Sequence, residues 1–377
     1  MLTRLLALIE RLTPSHAIPF TPEPVRRILL VDLNFLGDML MSSPVYRALK
    51  EHFPQCKIDA LSYGIVEPVL RANPYIDALY RVENTKRHLP LALVPALRRN
   101  RYDLVLQLNT SLLTNVLMWL IGGKDRLGYN YAHRGCLNTI RVPIPTRTTR
   151  VGNRVDECIG LIEKAFGWTI ADRRMVLEIP ASASEQVGRI MRDEGLSNAP
   201  LLIAIHTNCR QGKDQRRWGG AHFAALAERL SVQLGCTVLF TGGRDDQAYV
   251  QSIVQRMTDP QHVRNLAGRL SLIETAALLK RVHLFVTINT GPMHLAVALD
   301  VPTVAIIGGT PASVVCPRDN PRFRFLEDPA LAAWDPRSPW LRSPAAITSI
   351  TVDAVFDSVL HLLQDLGRLR QNPPVSA

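Results

Sequence analysis

Three short stretches place reactive or anion-binding side chains at turns that follow apolar runs. The first is Leu36-Gly37-Asp38. A carboxylate beyond a strand can take the proton of an attacking hydroxyl, or it can cap the helix that follows, and this motif alone leaves both open. The second is His206-Thr207-Asn208-Cys209-Arg210, followed closely by Lys213, Arg216, Arg217 and Trp218. Hydroxyl, amide and guanidinium groups suit a diphosphate, whose charge must be neutralised as it leaves; a solvated basic loop would have the same composition. The third is Thr290-Gly291-Pro292-Met293-His294. Its glycine permits close backbone approach, and the N–H groups of a helix start attract phosphate, although ordinary helix starts also carry such a turn.

These turns need a scaffold of strands and helices. Arg27 to Leu33, RILLVDL, is an apolar run of strand length that ends in Asn34-Phe35-Leu36-Gly37-Asp38. Ser43-Pro44 reads as an N-cap with proline at the first helical position, leading into VYRALKEHF. Lys57 to Tyr63 and Tyr102 to Leu108 read as further strands. The pattern restarts in the second half. Leu201 to His206, Cys236 to Thr241, His283 to Ile288 and Thr303 to Ile307 read as strands. Ala221 to Leu234 and the Ser271/Glu274 capping box give helices between them. Alternating strands and helices imply an α/β fold of parallel sheets covered on both faces. The expected division is residues 1–180 and 181–355, with a linker near 179–184, then a helix and a disordered tail over 356–377.

The 377 residues carry a formal net charge of +11, which favours an anionic partner. No zinc-finger spacing, RNA-binding sheet motif or dense lysine-arginine run is present, so nucleic acid is not expected. Six cysteines are scattered singly, with no C-x-x-C, so neither a disulfide framework nor a zinc site is expected and a reducing cytosol fits. No apolar stretch is long enough to span a bilayer. Leu2, Leu5, Leu6, Ile9 and Leu12 recur at helical spacing. That first helix either packs on its own domain or rests on the inner membrane as an interfacial foot. Leu127 to Val155 carries Arg134, Arg141, Arg147, Arg150 and Arg154 without an acidic residue, which is either a solvated face or a wall that docks an anion.

Five segments resemble glycosyltransferase family nine, the ADP-heptose:lipopolysaccharide heptosyltransferases. They are ILLVDLNFLGDMLMSSPVYRALKEHFP, RRWGGAHFAALAERL, VLFTGGRDDQ, NLAGRLSLIETAALLKR and VTINTGPMHLAVALDVPTVAIIG. The resemblance implies a GT-B fold: two Rossmann-like doubly wound domains facing across a cleft, acceptor on the first and nucleotide sugar on the second. It implies Asp38 as catalytic base of an inverting transfer. On the donor side it implies His206, Thr207, Asn208, Arg216, Arg217, Asp246 (with Asp245 as the other choice for the ribose), Leu270, Asn289, Thr290, Gly291 and His294. Arg147 and Arg150 are the expected acceptor contacts, and neither metal nor cofactor is expected. The implied partners are an ADP-sugar, ADP-heptose first, and an anionic glycan or glycolipid, with the enzyme cytoplasmic and in peripheral contact with the inner membrane. One departure stands out: family members usually carry aspartate before the T-G pair, where this chain has Asn289. That change opens two other readings, a transferase with another donor sugar or with a protein or metabolite acceptor, and a non-catalytic sugar-nucleotide-binding protein.

Overall fold

The computed structural model describes residues 2–22, 24–83, 89–144, 153–207, 218–308, 310–316, 320–328, 331 and 347–369. The chain divides into two compact units, the first Met1–Glu178 and the second beginning at Ile179. Each is built around one parallel sheet.

In the first unit the order is α1 (Leu2–Leu12), β1 (Arg27–Val31), α2 (Leu36–His52), β2 (Lys57–Tyr63), α3 (Glu67–Leu70) and β3 (Ala78–Val82). There follow α4 (Val94–Arg99), β4 (Leu104–Gln107), α5 (Leu112–Ile121), β5 (Asp125–Asn130), β6 (Ile140–Pro143) and α6 (Arg154–Phe166). The sheet runs β3-β2-β1-β4-β5-β6, all parallel. Apolar β1 sits at its centre, Leu30 opposite Ala60 on β2 and Leu106 on β4. Helices cover both faces, so β1 and β4 are apolar on both sides rather than alternating. Ile28 and Leu30 face one cluster with Val45, Leu49 and Ile159, while Leu29 and Val31 face another with Leu117 and Met118.

The second unit repeats the plan. Its elements are α7 (Ala181–Asp193), β7 (Leu202–His206), α8 (Gly220–Leu234), β8 (Thr237–Thr241), α9 (Gln247–Val254), β9 (Val263–Asn265) and α10 (Leu272–Leu279). Then come β10 (Leu284–Ile288), α11 (Gly291–Ala298), β11 (Thr303–Ile307), α12 (Ala312–Val315), β12 (Phe323–Glu327) and α13 (Val352–Asp365). The sheet order is β12-β11-β10-β7-β8-β9, again all parallel. Helix α13 buries Val355, Phe356, Val359, Leu362 and Leu363 in this unit's main core. The disordered tail expected after Arg370 lies outside the described residues.

One reading of the sequence is corrected. Helix α2 does not begin at Ser43-Pro44; it begins at Leu36, and Pro44 lies inside it. Proline cannot donate to the carbonyl four residues back, which is that of Leu40. The Ser43 hydroxyl donates to that carbonyl instead, at 2.5 Å, so the helix continues through the proline. The two units divide at Glu178/Ile179, at the start of the expected linker 179–184, and α7 starts within that stretch at Ala181.

Candidate active site

In a doubly wound sheet the chain builds outward in one direction, returns, and builds in the other. The strand ends where the direction changes leave a crevice that takes ligands. In the first unit that point lies between β1 and β4, and in the second between β10 and β7. The Leu36-Gly37-Asp38 turn follows β1 at the first of these points, and His206-Thr207 and Thr290-Gly291 follow β7 and β10 at the second.

Asp38 lies in the first turn of α2, just beyond the carboxyl end of β1, with its side chain 44% exposed. Arg154, the first residue of α6 and 8% exposed, brings its Nε to 3.9 Å from the Asp38 carboxylate. The guanidinium is anchored on two further sides. It pairs with Glu157 at 2.8 Å and donates to the carbonyl of Leu108, at the end of β4. Behind Asp38, the carboxylate of Asp32 is 1% exposed. It accepts from Ser42 at 2.7 Å and from Asn34 at 2.5 Å. Burial raises the Asp32 pKa above its ordinary value, although both hydrogen bonds and the Arg154 charge oppose the shift. Burial also pushes the Cys158 thiol up to about 12 and the Tyr46 phenol well above its usual range. Burial acts against the Arg154 charge as well, yet Cys158, Glu157, Asp38 and Asp32 together hold its pKa above the ordinary value. One cation thus faces three carboxylates, of which Asp38 is the most exposed.

In the second unit, Thr287 on β10 registers with His206 on β7, and His206 with Thr241 on β8. The ends of these strands therefore stand side by side. The His206 ring lies 3.3 Å from the Thr241 hydroxyl, and both are buried. Thr207 is fully buried and its hydroxyl has no hydrogen-bond partner among the described residues. Asn289 and Thr290 follow β10 half-buried, and Thr290 is the N-cap of α11, which starts at Gly291. The α11 dipole thus points its positive end at the switch point. Asp246 accepts from the Gly243 amide at 2.8 Å and closes a capping box over the turn after β8. That turn is tight: a Cβ on Gly242 would stand 2.8 Å from that of Asp246. Leu270 is half-buried between β9 and α10, at the edge of the sheet and farther from the switch point. His294 is 5% exposed, its Nδ1 has no hydrogen-bond partner among the described residues, and burial lowers its pKa to about 4, so it is neutral.

The structure thus brings His206, Thr207, Asn289, Thr290 and Gly291 to neighbouring strand ends, with Asp246 one strand further out. Asn208, Arg216, Arg217, Arg147 and Arg150 lie outside the described residues. Of the arginines between Leu127 and Val155, Arg141 is used internally: it donates to the carbonyls of Glu10, Thr13, Cys136 and Asn138. Arg154 is buried beside Asp38, and Arg134 is exposed. The run is therefore not one continuous docking wall. Sequence reasoning missed Asp32, Ser42 and the role of Arg154. An acid closing the apolar strand RILLV was the available signal for Asp32; nothing in the sequence pairs Arg154 with it.

The sequence profile of glycosyltransferase family 9 (heptosyltransferase) matches residues 91–321, more than half of the chain. The chain belongs to glycosyltransferase family 9. The matched span contains the donor-type turns at 206–217 and 290–294 and begins after Asp38. As a family-9 glycosyltransferase, it is 28% identical over 301 residues to lipopolysaccharide heptosyltransferase 3 of Escherichia coli, covering 78% of this chain and 86% of the relative. In fold it is similar to the family-9 glycosyl transferase of Veillonella parvula, with a TM-score of 0.78 at 22% identity over 91% of this chain and 99% of that one. The E. coli ADP-heptose lps heptosyltransferase II superposes with a TM-score of 0.72, also at 22% identity, over 90% of this chain and 99% of that one. The two Rossmann-like units are those of the GT-B fold.

Proposed function

We propose that this family-9 glycosyltransferase transfers a heptose from ADP-heptose to a hydroxyl of a lipopolysaccharide-core-type acceptor, by a single inverting displacement. Asp38 accepts the proton of the acceptor hydroxyl as that oxygen attacks the anomeric carbon. ADP leaves, its diphosphate met by Thr290, Gly291, the α11 dipole and the basic stretch 208–217. Asp246 and Leu270 serve the nucleoside, and Arg147 and Arg150 the acceptor. The reading places the enzyme on the cytoplasmic side of the inner membrane, where its acceptor is anchored. The observation that carries it is the position of Thr290 and Gly291 at the β10/β7 switch point, with the buried Thr207 hydroxyl just beyond the end of neighbouring β7.

The deciding measurement is transfer of sugar from ADP-heptose to purified, dephosphorylated and phosphorylated core acceptors, with a thermal-shift series against ADP-, UDP- and GDP-sugars. A ligand at a hundred times its dissociation constant stabilises the folded state by about 2.7 kcal/mol. ADP-heptose should give the largest shift. Equal shifts with all three nucleotides, or none, would remove the nucleotide assignment. A second reading, favoured by Asn289, keeps the fold and mechanism but changes the donor sugar. An amide can bond a sugar hydroxyl but cannot supply a negative charge. Under that reading another ADP-sugar is turned over faster than ADP-heptose, and Asn289→Asp reverses the preference.

A further inference from the structure

Helix α1 is held with its apolar side outward. Leu2, Leu5, Leu8 and Leu12 are exposed by 60%, 53%, 52% and 75%, and Leu6 is the buried residue of the helix. An amphipathic surface helix ordinarily turns its leucines to the core. Here the inward face is fixed by polar contacts instead. The Glu10 carboxylate accepts from Asn130 at 2.8 Å and pairs with the His133 ring at 2.6 Å. Arg141 donates to the carbonyls of Glu10 and Thr13 at 3.0 and 2.8 Å. These bonds leave Leu5, Leu8 and Leu12 as one ridge, at the spacing that lines up residues on a single helix face. Arg4 and Arg11, both exposed, stand four residues before and three residues after Leu8, and so beside that ridge.

We infer that α1 is a membrane-docking surface that lies flat on an anionic phospholipid bilayer, its leucine ridge in the acyl boundary and Arg4 and Arg11 at the headgroups. A leucine row flanked by arginines is the pattern of an in-plane helix, because the long cationic side chains reach the headgroups while the leucines leave water. Charge complementarity selects the occupant: the arginines beside the ridge and the net charge of +11 favour an anionic lipid surface over a second copy of the same cationic chain. The inference deepens the proposed function and rests on it only for the idea that the acceptor is membrane-borne.

Binding to vesicles tests this without any acceptor. Purified full-length protein is sedimented with vesicles of phosphatidylethanolamine and phosphatidylglycerol at roughly 3:1, and with neutral phosphatidylcholine vesicles. Wild type should bind the anionic vesicles more tightly. Leu5→Ser/Leu8→Ser/Leu12→Ser should weaken binding by about a thousandfold, roughly tenfold for each leucine that no longer enters the apolar layer. Arg4→Gln/Arg11→Gln should weaken it about thirtyfold, near fivefold per arginine, and only on anionic vesicles. The leucines replaced are exposed, so both variants should keep the wild-type melting temperature. Unchanged vesicle binding in the serine variant overturns the inference. So does sedimentation equilibrium showing a dimer that the serine variant disperses while wild type ignores vesicles. Wild-type turnover of a soluble acceptor by the serine variant supports it. If no heptose transfer is found with any acceptor yet the vesicle results hold, the proposed reaction fails and the docking surface stands.

Discussion

Replacing Arg154 with methionine tests the charge arrangement around Asp38. The guanidinium is 8% exposed and pairs at 2.8 Å with Glu157, itself 12% exposed. Two unit charges at that distance attract by about 6 kcal/mol at an effective dielectric constant near 20, which bounds the effect from above. Breaking a buried pair by removing one partner typically costs about 3–5 kcal/mol, because the other charge is left stranded. Arg154→Met removes the ion pair with Glu157 and deprives buried Asp32 of its nearby cation. A unit the size of Met1–Glu178 loses about 2–4 °C of melting temperature per kcal/mol, so the variant should melt about 6–20 °C lower at pH 8 by scanning calorimetry. The pH dependence has a definite sign. The folded-state pKa of Asp32 is raised, so the folded state is favoured by its protonation and loses stability as pH rises through that pKa. Acidification towards the raised Asp32 pKa should therefore narrow the gap between variant and wild type. Arg154→Lys, which keeps the charge, should lose less at pH 8. If Arg154→Met melts within about 2 °C of wild type at pH 8, with no change of the gap on acidification, the buried network is not what holds this corner together.

Three other outcomes are expected. Asp38→Asn should lower turnover by about a hundredfold or more while leaving ADP affinity unchanged by calorimetry; full activity would leave Asp38 only an acidic residue in the first turn of α2, near its positive end. Arg147→Gln/Arg150→Gln should raise the acceptor KM and flatten its salt dependence with donor binding untouched, since exposed charges act mainly on encounter and are screened over about 8 Å at physiological ionic strength; wild-type kinetics at low salt would rule out the docking role. His294 has a folded pKa lowered from 6.5 to about 4, so its contribution is present above pH 6.5 and is lost as pH falls towards 4, by up to about 3 kcal/mol. A urea-unfolding series in wild type and His294→Leu should show that acid loss shrinking in the variant, and parallel curves would exclude His294 as its source.

The first and second βα series were legible because local chemistry writes them. RILLV, LIAIH and LFVTI are apolar runs of strand length, and each ends in turn formers. Strands covered on both faces need no alternation, so a bare apolar run suffices to mark them. The Ser271/Glu274 capping box was readable for the same reason: its partners stand three residues apart, and the structure closes it through the Ser271 and Glu274 side chains. The motif turns, and the family they belong to, were readable as short contiguous strings.

Helix α2 escaped the same reasoning. Proline normally marks a helix start, but here Pro44 lies inside the helix and the Ser43 hydroxyl bonds the Leu40 carbonyl that Pro44 cannot. The arginines between Leu127 and Val155 looked alike in sequence. Tertiary structure separated them, sending Arg141 to backbone carbonyls of α1 and its neighbours and Arg154 into a buried cluster beside Asp38. Burial of the strand-ending Asp32 is likewise set by what packs over β1.

The sequence by itself determined the doubled α/β plan, the family and the turns that carry the candidate chemistry, because those depend on residues close together along the chain. Only the tertiary structure decided which strand ends are neighbours, that Asp32, Asp38 and Glu157 share Arg154, and that α1 presents leucines outward. Strand order and charge pairing are contacts between distant residues, chosen by how the sheet and helices pack together, and no local pattern encodes them.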